Sequence, residues 1–362
     1  MDRIGIITFH RSYNYGSILQ AFALQKYIKE NVGEAKIIDF IHREDFKQYH
    51  LFRKYLYKTY PTALGADIIY FGRNLKRKRA FELFIKKYIS LTDKRYKDYN
   101  QLCELNSLFD VFICGSDQIW NPDCTNGVEP AYYLQFSISE KRKVAYAPSM
   151  GHLVFKQDEL NQVTRYINRL DFLSIREKSI LPLLQRMTDK EIKVVVDPTL
   201  LLEKKDYIEI MYPCTSSGYI FVYMLEDSLE LIEYAQKQSL KMGKKIVYIS
   251  KKKRKQYRNA VNIYGISPEG FLSYLNAADY IITNSFHATI FSIIFEKKFC
   301  TFSTKKSFSR MTDLLERLDL KQQLYHEGFL IDCDIDYRIA RDKLNIWRTE
   351  SIQYLKESIS KT

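Results

Sequence analysis

The 362-residue sequence has no apolar run approaching the ~20 residues that a membrane-spanning helix needs. Its first ten residues, MDRIGIITFH, lack the apolar core of a secretory signal peptide and have the pattern of a short strand. GxxxxGK[ST], GxGxxG, HExxH and GxSxG motifs are also missing. We therefore expect a cytoplasmic protein that has neither a phosphate-binding loop nor a dinucleotide fingerprint.

The cysteines form no CxxC pair, and the gaps between them are irregular: Cys103, Cys114, Cys124, Cys214, Cys300 and Cys333. Structural zinc sites use clustered ligands with short spacings, so this pattern predicts no metal site. In a chain without an export signal we expect reduced thiols that serve as packing residues. No residue pattern in the sequence requires a bound cofactor.

Acidic residues are fewer than basic ones. The chain has 43 Asp and Glu against 56 Lys and Arg, a formal net charge of +13 at pH 7. A surface of this sign attracts phosphates, anionic substrates, nucleic acid or anionic lipid. Charge alone does not choose among these partners.

Short apolar strands alternate with amphipathic helices along the chain, which predicts an α/β fold with parallel sheets. The length favours two domains at ~150 residues each. We divide the chain into an N-terminal α/β domain (1–202), a hinge (203–218), a C-terminal α/β domain (219–333) and a C-terminal helix (334–362) that packs back across the domains. Strands are expected at 4–9, 36–41, 109–114, 143–147, 193–196, 219–225, 245–250, 280–283 and 299–302, and residues 172–177 are expected to be a strand end that carries polar residues.

The stretch 46–91 combines aromatic and basic side chains, and residues 72–91 predict a basic amphipathic helix. Its members include Phe46, Tyr49, Phe52, Tyr55 and Tyr60 beside Arg53, Lys54, Arg77, Lys78 and Arg79. Two interpretations are open: a solvated basic surface, or a patch that meets anionic lipid at the inner face of the membrane.

Polar loops follow four of the expected strands, at 10–17, 115–122, 174–177 and 284–288. Open parallel sheets bind ligands outside the carboxyl ends of their strands, so these loops are the candidate site. His287 opens a helix there and is either a proton-transfer group or a cap of its own helix. Asp117, Gln118, Trp120 and Asn121 suit sugar binding, but capping residues beside a buried Trp would have the same pattern.

The ordered set of motifs resembles the polysaccharide pyruvyl transferase family over nearly the whole chain. The residues that carry the resemblance are Gly5–Phe9, Asn14–Ser17, Leu19–Leu24, Gly115–Asn121, Ser174–Glu177, Asp197–Leu200 and Ser285–Ala288. It implies a two-domain glycosyltransferase-B-like fold with two Rossmann-like domains that face a cleft holding the active site. It also implies transfer of a pyruvyl group from phosphoenolpyruvate to two hydroxyls of a sugar, which forms a cyclic ketal.

In the resemblance, Arg176 matches the family's arginine of the first domain and His287 its histidine of the second, and the other roles are expected from the chemistry of the residues. We expect His287 and Asp117 to be catalytic, with His287 as the acid/base. We expect Arg176, Ser285 and Arg310 to bind the donor, and Asn14, Tyr15, Gly16, Gln118, Trp120 and Asn121 to bind the acceptor. The acceptor would be a sugar of a bacterial-type surface polysaccharide or its lipid-linked oligosaccharide precursor, with phosphoenolpyruvate as donor substrate and no cofactor, metal or nucleic-acid partner.

One position departs from the family pattern. Many members have Arg-Leu-His where this chain has Ser285-Phe286-His287, so Arg310 is the candidate that supplies the missing charge. Two other functions remain open from the sequence. One is a glycosyltransferase of the same fold that uses a nucleotide-sugar donor, and the other is a basic protein that binds an anionic partner without catalysis.

Overall fold

A computed structural model describes residues 2–41, 50–151, 155–213, 217–250, 256–304, 308–327 and 334–360. Phe46 and Tyr49 of the aromatic stretch lie outside these ranges. The strands are β1 (Ile4–Ile7), β2 (Ala35–Ile37), β3 (Val111–Cys114), β4 (Arg142–Ala145), β5 (Leu173–Ile175), β6 (Ile192–Val194), β7 (Tyr219–Tyr223), β8 (Lys245–Ile249), β9 (Ala260–Asn262), β10 (Tyr280–Thr283) and β11 (Lys298–Thr301).

The α-helices connect these strands along most of the chain. They are α1 (Tyr15–Asn31), α2 (Thr62–Ile69), α3 (Phe71–Tyr88), α4 (Pro122–Thr125), α5 (Gln157–Ile167), α6 (Leu181–Leu184), α7 (Lys204–Ile208), α8 (Leu229–Met242), α9 (Pro268–Ala277), α10 (Phe286–Ile294), α11 (Phe308–Arg317) and α12 (Tyr337–Ile359). None of the helices in the described ranges has both the length and the hydropathy needed to span a bilayer.

The first compact unit comprises Met1–His50, Ile85–Leu202 and Asn345–Thr362. Its sheet has the order β2-β1-β3-β4 with every pair parallel, and a single parallel bridge from Val144 to Phe172 leads on to the parallel pair β5-β6. β1 and β3 are buried along their whole length, as central strands covered on both faces must be. The carboxyl ends of these strands therefore share one edge.

The second unit comprises Leu51–Phe84 and Glu203–Leu344. Its sheet has the order β11-β10-β7-β8-β9, again with every pair parallel. Apolar side chains from β7, β8, β10 and α8 form its core, among them Ile220, Ile282 and Leu231. The two parallel sheets confirm the predicted α/β class with two Rossmann-like units.

Three features differ from the sequence interpretation. Residues 51–84 were assigned to the N-terminal domain but belong to the second unit, and Asn345–Thr362 belong to the first. Lys204–Ile208, inside the expected hinge, forms the helix α7. A capping box of Glu203 and Asp206 stabilises its first turn. A helix of five residues is too short to show a period in sequence. The three-residue strand β9 escaped detection for the same reason.

α12 is held to the first unit by side-chain contacts with backbone carbonyls. Trp347 Nε1 donates to the carbonyl of Val194 at 2.9 Å, and the Tyr354 hydroxyl donates to that of Ala145 at 2.9 Å. The Ala145 carbonyl is buried and that of Val194 is partly buried, so these bonds satisfy groups that would otherwise be costly to cover. The carboxyl-terminal part of α12 therefore packs on the strands of the first unit.

Candidate functional site

Asp117 lies in the loop that follows β3, at the carboxyl edge of the first sheet. It has a left-handed backbone, with φ of 68°. Its Oδ2 accepts from the Ser17 hydroxyl at 2.5 Å, and its Oδ1 accepts from the Gln118 amide at 2.9 Å. The side chain is 6% exposed, so the structure places a nearly buried carboxylate against the first turn of α1.

Gln20 joins the loops that follow β1 and β3. Its Nε2 donates to the Thr8 hydroxyl at 2.9 Å, and its Oε1 accepts from the Ser116 amide at 3.2 Å. Thr8 in turn donates to the Ser116 carbonyl at 3.0 Å. Because all three residues are buried, this network holds the two loops in a single arrangement around Asp117.

The residues of the 14–17 motif open α1. Asn14 caps the helix, and its side chain accepts from the Gly16 amide at 2.9 Å. Tyr15 is 2% exposed and Gly16 is buried. Of the three acceptor residues expected in this motif, only Asn14 is therefore partly exposed. The structure therefore gives Tyr15 and Gly16 a packing role rather than a surface for a sugar.

Trp120 is a core side chain. Its indole stacks on Tyr133 with ring centroids 4.9 Å apart, its Nε1 donates to the Tyr132 carbonyl at 2.9 Å, and it is 1% exposed. A sugar cannot stack on a ring whose surface is already covered, which corrects the expected acceptor contact at this position. The buried-Trp alternative, which the sequence left open, is the one that the structure shows.

Asn121 and Gln118 form part of the same loop. Asn121 caps α4 through the Asp123 amide at 3.1 Å and donates from Nδ2 to Gln118 Oε1 at 2.9 Å. Asn121 is buried, whereas Gln118 is partly exposed. Of the residues in the segment 115–121, Gln118 is therefore the one best placed to contact a ligand.

Arg176 forms a buried ion-pair cluster at the end of β5. Its Nη1 donates to Asp197 Oδ2 at 2.7 Å, and its Nε and Nη2 reach Glu177 Oε1 at 3.4 Å. Burial opposes the guanidinium charge, but the carboxylates of Glu177, Asp197 and Asp117 outweigh it and raise the pKa of Arg176. An anionic donor would have to share this guanidinium with the chain's own carboxylates.

A second polar cluster in the first unit was not identified from sequence. His10 follows β1, and its ring nitrogens lie 3.0 Å from the Thr8 carbonyl oxygen and 3.1 Å from Asp39 Oδ1. Arg11 donates to both Asp39 oxygens at 2.6 and 2.8 Å, and Arg95 Nε donates to Oδ2 at 3.1 Å. Burial raises the pKa of Asp39, but hydrogen bonds from His10 and Arg11 outweigh it and hold that pKa well below its usual range.

The only sequence signal for this cluster was its position. His10 comes directly after the first expected strand, in a candidate loop, whereas Asp39 lies inside the expected strand 36–41, which in the structure ends at Ile37. Arg95 reaches Asp39 from 56 positions further along the chain, a pairing that no local pattern reveals.

In the second unit, Ser285 and His287 lie where β10 leads into α10. Ser285 is the N-cap, and its hydroxyl oxygen accepts from the Ala288 amide at 3.4 Å. Its carbonyl accepts from the Thr289 amide at 3.0 Å and hydroxyl at 3.1 Å. His287 occupies the first turn, is 8% exposed and contacts the Phe286 ring edge-on at 5.4 Å. Capping thus accounts for the serine at this position.

Arg310 approaches the same place from α11. Its guanidinium carbon lies 5.9 Å from the centroid of the Phe286 ring, a cation–π contact, and the side chain is 8% exposed. Phe286 stands between Ser285 and His287 in the chain. The structure therefore brings together three residues of the expected site, Ser285, His287 and Arg310, around one phenylalanine.

Residues 14–306 match the model of the polysaccharide pyruvyl transferase family. The chain belongs to this family. The matched span includes Asp117, Arg176 and His287 and ends four residues before Arg310. None of the curated protein sequences compared with the chain is significantly similar to it.

Solved structures of other enzymes are similar to the chain over nearly its full length. The UDP-GlcNAc 2-epimerase of Methanocaldococcus jannaschii is 12% identical, covers 96% of this chain and 92% of its own, and has a TM-score of 0.46. The corresponding enzyme of Neisseria meningitidis is 9% identical, covers 100% and 95%, and has a TM-score of 0.49. A glycosyltransferase of Streptomyces nogalater is 11% identical, covers 98% and 95%, and scores 0.47. Similarity at this level transfers neither a substrate nor an activity.

The two polar edges offer different chemistry. The first supplies the Asp117 carboxylate, and the second supplies the His287 imidazole with the Arg310 cation beside it. Within the described ranges no group of three or more His, Cys, Asp or Glu side chains is placed to hold a metal ion. The described residues thus place a carboxylate at the strand ends of the first unit, and an imidazole and a buried cation at those of the second.

Proposed function

We propose that this member of the family transfers a pyruvyl group from phosphoenolpyruvate to two hydroxyls of a sugar and forms a cyclic ketal. The observation that carries the proposal is the placement of Arg310 over Phe286, next to Ser285 and His287. This arrangement sets a cation and a titratable imidazole at the first turn of α10. A helix N-terminus favours anions, so the place suits a donor that carries a phosphate and a carboxylate.

The reaction needs a proton at one carbon and the loss of two protons from oxygen. His287 donates a proton to the methylene carbon of phosphoenolpyruvate, which makes the neighbouring carbon electrophilic. The first sugar hydroxyl forms a bond to that carbon, the second hydroxyl forms another, and the carbon–oxygen bond to phosphate breaks. We assign Asp117 as the base that accepts the proton of the first hydroxyl, and the proton of the second hydroxyl leaves with the phosphate. The products are the ketal and inorganic phosphate.

Arg310 is the proposed contact for the donor's anionic groups. A guanidinium binds carboxylate or phosphate through two parallel hydrogen bonds, which fixes orientation as well as charge. Its low exposure strengthens the electrostatic interaction because little water competes. Gln118 and Asn14, both partly exposed, are the proposed acceptor contacts in the first unit.

The acceptor is proposed to be lipid-linked and met at an anionic membrane face. Several apolar side chains of the segment 52–71 are exposed: Phe52 42%, Tyr55 47%, Tyr60 59%, Leu64 43%, Ile68 60%, Ile69 74% and Phe71 36%. α3, which follows directly, carries the cations Lys78, Lys86 and Lys87. Exposed apolar side chains next to basic ones suit binding at the surface of an anionic bilayer.

Phosphate release tests the proposed reaction. The protein would be incubated with phosphoenolpyruvate and a panel of glycans, and free phosphate would be followed over time. We expect acceptor-dependent release together with a glycan product that gains the mass of pyruvate less one water. Release of a nucleoside diphosphate from a nucleotide sugar, with no product from phosphoenolpyruvate, would instead support the glycosyltransferase alternative.

A further inference from the structure

The second unit contains a cavity of about 550 Å³ that no part of the proposed mechanism uses. One wall is a face of α3 that includes Lys76, Arg79 and Leu83, and the opposite wall is the start of α9 with Tyr212 and Tyr274 nearby. Its volume lies within the range of ordinary small-molecule sites, ~300–1,000 Å³. The cavity is large enough for a saccharide with a charged group.

Tyr264 holds the α3 wall in place. Its hydroxyl donates to Asn74 Oδ1 at 3.1 Å, and the guanidinium carbons of Arg73 and Arg77 lie 5.3 and 5.7 Å from its ring centroid. The next residue, Gly265, has φ of +85°, a backbone conformation that favours glycine, and it lies in van der Waals reach of the α3 backbone. Because Arg73 and Arg77 are used in this contact, the neighbouring face of α3 presents a different pair of cations to the cavity.

Those cations are Lys76 and Arg79. Among the described residues neither forms an ion pair with a carboxylate, in contrast to Lys78, which lies 3.8 Å from Glu82. Opposite them, Ser267 caps the ten-residue helix α9, and its hydroxyl oxygen accepts from the Gly270 amide at 3.2 Å. Two cations and the positive end of a helix face the same space, which favours a phosphate.

Glu269, in the first turn of α9, is a buried partner of Tyr212 and is not one of the residues that line the cavity. It is 3% exposed, its Oε1 accepts from the Tyr212 hydroxyl at 3.2 Å, and its Oε2 has no hydrogen-bond partner among the described residues. Tyr212 and Tyr274 offer aromatic surface of the kind that packs against a sugar ring.

The cavity lies at the same edge of the sheet as His287. α9 follows β9 and α10 follows β10, and since all strands are parallel, both helices begin at the carboxyl edge. The strand order separates β9 from β10 by three steps, or about 14 Å at ~4.8 Å per step. A ligand of a few sugar units spans that distance.

We propose that this cavity binds the phosphate and adjoining sugar of a phosphorylated saccharide, the remote end of the acceptor. This inference rests on the proposed function, because it treats the saccharide as the acceptor of the pyruvyl group. Lys76 and Arg79 bind the phosphate, and the sugar ring packs against Tyr212 and Tyr274. Both lipid-linked and soluble sugar phosphates supply this chemistry.

Ligand-observed NMR binding measurements on the full chain test the assignment. The probes are N-acetylglucosamine 1-phosphate, N-acetylglucosamine, inorganic phosphate and UDP. We expect the sugar phosphate to bind more tightly than either the plain sugar or phosphate. In a Lys76→Gln/Arg79→Gln variant its affinity should fall about tenfold, the loss of two partly screened charge-assisted contacts.

Matched variants separate the site from general charge. Lys237→Gln/Lys241→Gln removes the same charge from exposed positions of α8, away from the cavity lining, and should leave the affinity unchanged. Tyr274→Ala should weaken the sugar phosphate more than inorganic phosphate, because only the sugar packs against the ring. Equal affinity in the Lys76→Gln/Arg79→Gln variant and the unaltered chain, or tightest binding of UDP, would overturn the assignment.

A further measurement with a lipid-linked probe identifies the source of the phosphate. Farnesyl-diphosphate-linked N-acetylglucosamine in vesicles that binds more tightly than the soluble sugar phosphate indicates a lipid-linked acceptor, and the reverse order indicates a soluble one. Failure of this inference and of the proposed function are distinguishable. Binding that depends on Lys76 and Arg79, without pyruvyl transfer, supports the cavity assignment and contradicts the proposed function. Pyruvyl transfer without such binding supports the proposed function and contradicts the cavity assignment.

Discussion

Arg176 donates to Asp197 Oδ2 at 2.7 Å, and neither side chain is more than 4% exposed. The bond ties the loop after β5 to the loop after β6, at the edge that also holds Asp117. Removing one partner of such a pair leaves the other charge buried without compensation, which is more costly than losing the pair itself. Substitution of Arg176 therefore tests whether this arginine binds the donor or holds the loops after β5 and β6 together.

Arg176→Ala is expected to lower the free energy of unfolding by about 3–5 kcal/mol, because Asp197 and Glu177 would remain buried as unpaired anions. Urea denaturation at neutral pH measures the change. Arg186→Ala, an exposed arginine of the same segment, is the control and should have little effect. A variant of unchanged stability whose KM for phosphoenolpyruvate rises would show donor binding instead.

His287→Ala is expected to reduce kcat by about 10²–10⁴, the usual contribution of a positioned proton-transfer group. Steady-state phosphate release measures it, and thermal unfolding verifies that the variant is folded. His326→Ala provides an exposed histidine of the same unit for comparison. Near-normal turnover by a folded His287→Ala protein would remove the imidazole from the mechanism.

Arg310→Lys is expected to raise the KM for phosphoenolpyruvate about tenfold, because lysine keeps the charge but loses the bidentate fork. Arg310→Gln should raise it further. Arg317→Lys, in the last turn of the same helix, serves as the reference. If Arg310→Lys, like Arg317→Lys, has the same KM as the unaltered chain, Arg310 does not replace the arginine that many family members have at the position of Ser285.

Asp39 predicts a specific pH dependence of stability. Its pKa is lower in the folded chain than in the unfolded one, so its contribution is complete above the unfolded value of ~3.9 and disappears as the pH falls towards the folded value. The difference in unfolding free energy between the natural chain and Asp39→Asn should therefore be constant from pH 7 to about 5 and shrink below about 4. Urea titrations across this range measure it, and a constant difference down to pH 3 would contradict the stated pKa direction.

Membrane association is tested with vesicles. Sedimentation with liposomes should rise with anionic lipid and fall with salt, since screening shortens electrostatic attraction. Ile68→Ser/Ile69→Ser should weaken binding, whereas Leu229→Ser/Leu240→Ser removes two equally exposed apolar side chains of α8 and should not. Equal recovery in the supernatant with neutral and anionic vesicles at low salt would exclude the proposed surface.

Periodicity and strand-end position identified most of the fold and the loops of the candidate site. The loops after β1, β3, β5 and β10 were expected because apolar runs end there, and parallel pairing brings those ends to common edges. Side-chain direction within a loop was not predictable. Trp120 has the chemistry of a sugar-binding residue, yet Tyr132 and Tyr133, more than ten positions later, form a covered pocket for its indole.

Long-range pairing accounts for the other differences. Arg95 and Asp39 are far apart in sequence, as are Tyr264 and Asn74, so neither contact has a local signature. The second contact places α3 with the second unit although it lies near the beginning of the chain. Domain assignment from chain order fails when a segment packs on elements that are synthesised more than 150 residues later.

The unit boundaries matter for anyone who would recombine members of this family. A cut near residue 202 would leave α3 without Tyr264 and would separate β6 and β4 from the α12 residues that bond to them. Neither half would contain a complete module. An exchange intended to carry the second unit's ligand preference must move residues 51–84 together with 203–344, and both junctions at 84 and 344 fall inside helices that have to remain continuous.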